Sequence, residues 1–145
     1  MPNSHAENIL DKLLIILSEG CDARVERNSV LPEKIPANGL VVIYDGDPGE
    51  PEQVLGGFNN AYYEHQIEIA IYMEEGDSAS RDQKFDALLV GIGQVLEEYP
   101  TLDGLVAGLT YARPEGSIEP VLGGPAIKTG TIILVAEYDT PSPLS

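Results

Sequence analysis

Two histidines, a single cysteine and the acidic run Asp45-Gly46-Asp47 are the first places to look for chemistry in this chain. His5 and His65 lie 60 residues apart, and neither has a partner at i+4 or a carboxylate at metal-ligand spacing, so no metal site is predicted. His65 falls on the apolar side of an alternating segment. A hydrogen-bonded, partly buried imidazole is the expectation there, ahead of a ligand or a general base. Cys21, alone in the sequence, excludes an internal disulfide and a thiolate cluster; it reads as a small packed or half-exposed side chain. Asp45-Gly46-Asp47 begins like a calcium loop but lacks the third ligand, the following glycine and the distant bidentate glutamate. It reads as a solvated turn at the end of a strand, open to contact.

Catalytic patterns are missing in the same way. A carboxylate pair for acid–base work needs an environment that separates two pKa values, and the abundance of Asp and Glu points to no such pair. The sequence has no G-x-S-x-G nucleophile elbow, and Gly91-Ile92-Gly93 lies inside a helical pattern instead of after a strand. The reading is of a non-enzyme with no cofactor.

Charge narrows the partners. Eight Lys and Arg stand against 24 Asp and Glu, a net charge of −16. Such a chain repels nucleic-acid phosphates and anionic membranes, which need clustered bases, and here the bases are scattered from Lys12 to Lys128. No apolar run reaches the roughly 18–20 residues of a membrane span. The opening MPNSHAENIL lacks the basic region and small-residue cleavage site of a secretory signal, which predicts a start in the cytoplasm.

The elements that would position these residues follow from periodicity. Ser4 and Glu7 have capping-box spacing, and Ile9, Leu10, Leu13, Leu14 and Leu17 then recur at helical intervals up to Gly20. Residues 22–30 suit an edge strand or extended arm, and Leu40–Tyr44 a short strand closed by the Asp45–Pro51 turn chemistry. From Tyr62 to Met73, His65, Ile67, Ile69, Ile71 and Met73 alternate with Tyr62, Glu64, Gln66, Glu68, Ala70 and Tyr72: a strand with one buried face. Ser80 and Gln83 repeat the capping-box spacing before a helix with the stripe Phe85, Leu88, Leu89, Ile92, Val95, Leu96, Tyr99, ended by Pro100. Gly91 and Gly93 inside it suggest close packing on a sheet. Leu105–Ala112 is a further candidate strand, Pro114–Pro125 is turn-rich, and Ala126–Tyr138, apolar on both faces, is a central or doubly covered strand. The order α-β-β-β-α-β-β predicts an α+β fold: one domain over 1–145, an antiparallel or mixed sheet packed against two long helices.

The stretch Arg27–Pro51, RNSVLPEKIPANGLVVIYDGDPGEP, resembles the signature region of small proteins from siphophage and prophage tail-gene clusters. YYEHQIEI from Tyr62, RDQKFDALL from Arg81 and AEYDT from Ala136 are similar to the same group, so the resemblance runs from about Leu10 to the C-terminus. The group is that of the tail terminators, the minor tail protein U-like proteins. The resemblance implies a homo-hexameric ring that caps the tail tube and presents the head-joining surface. Its partners would be the tail tube protein and a head-completion or connector protein. It further implies a place at the head-proximal end of the virion's tail, reached from the host cytoplasm during assembly.

On that reading the Asp45–Asn60 loop and the Pro114–Pro125 segment are candidate contacts, with Asp45, Asp47, Glu50, Glu52, Phe58, Tyr62, Tyr63, Arg113 and Glu115 as interface residues. Acidic walls around a bore would let DNA pass without sticking. The alternatives are another neck or head-closure protein, a binding module for a cationic partner, or a small enzyme. Relatives are sometimes described as acyl-CoA transferases, but this sequence offers no nucleophile or CoA-binding pattern for that activity.

Overall fold

The computed structural model describes residues 3–30, 34–53, 60–121 and 124–145. In chain order its elements are α1 (His5–Gly20), β1 (Arg24–Arg27), β2 (Leu40–Asp47), β3 (Glu52–Gln53), β4 (Ala61–Glu74), α2 (Ser78–Glu98), β5 (Gly108–Thr110), β6 (Ser117–Glu119) and β7 (Ile127–Thr140). The expected α-β-β-β-α-β-β order is present, with β3 and β6 as short additions inside segments read as loops. The fold is α+β.

Helix α1 starts where the capping residue predicts: the Ser4 hydroxyl accepts from the Glu7 amide at 3.1 Å, satisfying a donor the first turn leaves free. For α2 the expectation is corrected. Asp77, not Ser80, is the cap, and its carboxylate accepts from the Ser80 amide at 2.9 Å. Asp is as good an N-cap as Ser and lies one turn earlier, so the helix gains that turn. The apolar stripe from Phe85 to Leu96 is buried as expected, and the helix ends at Glu98, just before Pro100.

All strands join one mixed sheet in the order β1-β2-β4-β7-β5, with β3 added beside β4 and β6 beside β7. Among the described strands, only β1 and β2 run parallel. The two 14-residue strands β4 and β7 pair antiparallel from end to end, Ala61 opposite Thr140 and Glu74 opposite Ile127. Period-two alternation sends His65, Ile67, Ile69, Ile71 and Met73 to one side, where they meet the buried faces of α1 and α2 in a continuous core. Ile9, Leu13, Ile67 and Leu134 are wholly buried there, each worth roughly 1.5–3 kcal/mol of apolar burial.

β5 and β6 lie end to end along the outer side of β7. Thr110 sits opposite Val135 and Ser117 opposite Thr129, so seven steps outside answer six on β7. The surplus residue falls in the 111–116 stretch that contains Pro114, which has no amide proton to give to a ladder.

Two further expectations give way. Asp45-Gly46-Asp47 does not close β2 as a turn; the strand runs on to Asp47, with a register shift between Tyr44 and Asp47. Gly46 makes this possible, because its φ of +68° suits glycine and a Cβ there would run into the Gln66 carbonyl. Gly91 and Gly93 are not there for packing on the sheet, since a Cβ at either position would meet nothing within 4 Å. Both are half-buried on the flanks of α2, each beside a surface hollow.

Candidate interaction surface

At one end of the sheet the charged groups are tied to each other. The Arg27 guanidinium donates through Nη1 and Nη2 to the two oxygens of Glu7, both at 2.7 Å, and through Nε and Nη2 to Asp45 at 2.9 and 3.1 Å. Asn28 donates a further hydrogen bond through its side-chain amide nitrogen to Asp45 at 2.9 Å. The hydrogen bonds from Arg27 hold the Glu7 and Asp45 carboxyls below their ordinary range and raise Arg27 further above neutrality. Sequence reading places Asp45 in a solvated turn, but Arg27 lies 18 residues away in the chain, and only the β1–β2 pairing brings them together.

The depressed carboxyls give stability a sign. Each contributes above its unfolded pKa, near pH 4, and that contribution is lost as pH falls through the lower folded value. Arg27→Ala should therefore destabilise the protein at pH 7 and flatten the loss of stability below about pH 5, as read from urea midpoints across a pH series. Parallel acid limbs for variant and wild type would show that the pairs carry no linkage.

Beneath this cluster, His65 is buried with both ring nitrogens engaged. Nε2 lies 2.6 Å from the Asp45 carbonyl, which can only accept, so Nε2 carries the proton and Nδ1 accepts from the Tyr138 hydroxyl at 2.9 Å. Burial, followed by the charge of nearby Tyr63, pushes the Tyr138 phenol up to about 12, keeping it a donor. Tyr63, stacked on Tyr138 with ring centroids 5.4 Å apart, donates to the Pro143 carbonyl. This is the hydrogen-bonded core histidine the alternation predicts.

Among the described residues no helix covers the opposite face of the sheet. The Ile35 segment covers one end, packing on Leu40 and Val42. Over the rest, β4 presents Tyr62, Glu64, Gln66 and Glu68, and β7 presents Thr131, Ile133, Val135, Glu137 and Asp139. Ile133 is 41% exposed, so the apolar positions on both sides of β7 reflect a strand flanked on both edges yet open on one face. Glu64 and Glu137 are direct cross-strand partners, an arrangement of like charges that costs stability. Desolvation, followed by the charge of Glu137, raises the Tyr62 phenol, with Glu64 and Glu52 adding to the effect.

The sequence-predicted contact residues are spread around this face. Asp47 at the end of β2, Glu50 after it and Glu52 in β3 are exposed, and Tyr62 is half-buried near the start of β4, opposite Glu52. Asp45 is half-buried in the arginine cluster and Tyr63 is buried in the core. Arg113, paired with Asp86, and Glu115 are exposed on the interrupted outer strand, away from the first group. Phe58 lies outside the described residues. The carboxylates Glu68, Glu137 and Asp139 are not among the contacts predicted from sequence. The polar side of the β4 alternation points to Glu68, but the pairing that adds β7 is not visible locally.

One hollow of about 340 Å³ lies between the end of α1 and α2 and is lined by Cys21, Asn38, Lys84, Gly91 and Gln94 among others. Lys84 is held by Glu75 at 2.6 Å, and burial, then Asp22, pushes the Cys21 thiol up, away from the reactive thiolate. Among the described residues no three His, Cys, Asp or Glu side chains form a metal-ligand group, and no helix is long and apolar enough to cross a membrane.

No protein-family model matches the chain, and no curated protein matches it. Among solved structures it is similar to a chain described as "Virion of native gene transfer agent (GTA) particle". The identity is 12% and the TM-score 0.47, covering 86% of this chain and 84% of that one. Likeness at this level leaves function to be argued from the chain's own residues.

Proposed function

We propose that this chain is a structural protein of a phage-like particle that acts by assembly, as a tail terminator. In this role copies form a ring, six by the sequence resemblance, that caps the tail tube and offers its other side to a head-completion or connector protein. The observation that carries the reading is where the chemistry-capable groups are used. His65 and Tyr138 are spent on internal hydrogen bonds and Arg27 on internal ion pairs, while a broad sheet face and the Asp86, Val90 and Gln94 side of α2 stay exposed. That is the economy of a subunit whose business lies on its surface. The stretches similar to tail-cluster proteins support it further. Asp47, Glu50, Glu52, Tyr62, Arg113 and Glu115 are the accessible candidates for contacts with neighbours.

Light scattering across a concentration series, with and without purified tail tubes, tests the proposal. A sixfold mass, or monomers that bind one end of the tube, is expected. A monomer that ignores tubes at every concentration overturns it.

A further inference from the structure

The open face of the sheet has a charge pattern that selects its partner. Glu52, Glu64, Glu68, Glu137 and Asp139 stand on it, interleaved with Tyr62, Val135 and the exposed Ile133. None of these carboxylates is in an ion pair among the described residues. The chain's own bases are committed elsewhere: Lys12 to Asp103, Arg24 to Glu26, Arg27 to Glu7 and Asp45, Lys84 to Glu75, Arg113 to Asp86, and Lys128 to Asp82. Arg81 is buried. That leaves Lys34 as the exposed base in no ion pair among the described residues. A second copy laid on this face would therefore bring carboxylates and almost no counter-charge. Nucleic acid would bring phosphates, which the same field repels.

We propose that the β4–β7 open face is a docking surface for a different protein, one that presents a lysine- or arginine-rich strand or loop. The apolar and tyrosine side chains supply contact area, and the carboxylates set the sign and steer the approach. The close Glu64–Glu137 pair, unfavourable in the free chain, becomes favourable when a cation lies between them. This surface does not depend on ring formation: a monomer presents it whole, so failure of the ring reading and failure of this one are separable.

A decalysine peptide titrated into the full-length protein, followed by amide NMR shifts, is the test. Two charge-matched variants are compared with wild type: E64Q/E68Q/E137Q on the sheet face, and E19Q/E97Q/E98Q on the helix ends. Shifts should concentrate on β4 and β7. The sheet variant should bind at least about tenfold more weakly, and the helix variant should change by less than about twofold. A melting temperature at or above wild type for the sheet variant shows that removed charge, and not lost fold, weakens binding. Equal weakening in both variants, shifts spread over the whole surface, or no saturable binding overturns the proposal.

Discussion

Gly46→Ala should destabilise the protein by about 3 kcal/mol or more, close to the limit for a single small substitution. Two costs add. A non-glycine residue at φ +68° pays about 1–2 kcal/mol for the left-handed conformation. The new methyl would also be driven into the Gln66 carbonyl of the neighbouring strand, which is backbone and cannot swing aside. Gly49→Ala separates the two, because Gly49 has φ +73° but open space where a Cβ would stand. It should lose only the conformational part. Urea unfolding of both variants measures the difference; equal losses would show that the β2–β4 approach at the bulge is not tight.

His65→Leu should cost about 2–4 kcal/mol, through unmet hydrogen bonds more than through lost volume. Leucine strands the Asp45 carbonyl and the Tyr138 hydroxyl together, one at the bulge and one in the core. Burial makes the orphaning of the Tyr138 hydroxyl costly, since Tyr138 is only 4% exposed. Adding Tyr138→Phe should recover part of the loss, because the double variant no longer buries an unpaired hydroxyl. Denaturant midpoints of the single and double variants decide it. If H65L/Y138F is no more stable than the sum of the two single losses predicts, Tyr138 is held by packing and not by His65.

These two positions also mark how far the sequence can be read. Alternation along β4 is a local signal, since neighbouring side chains point to opposite faces, and it places His65 inward and Glu64 and Glu68 outward. The helices are legible for the same reason, down to the Ser4 cap. The Asp45-Gly46-Asp47 segment is not, because a positive-φ glycine suits a turn and a strand bulge equally well, and the carbonyl that decides between them belongs to β4. Glycines 91 and 93 mislead because propensity records their cost to a helix without saying which side they face. Nor can local pattern see the Arg27 cluster, whose three members come from α1, β1 and β2. The candidate contacts are legible as loops rich in acid. The open β4–β7 face is half legible, since one of its two strands advertises its polar side and the other is apolar on both.

The interrupted strand outside β7 has a consequence for solubility. A continuous outer strand would expose a straight row of amides and carbonyls on which another molecule's strand could zip, and then another, toward a fibre. Here the row is broken twice over: Pro114 has no amide to offer, and the surplus residue throws the two halves out of phase. A stray strand that matched β5 would fall out of step before it reached β6. On this side the sheet therefore offers a stray strand no continuous row on which to pair.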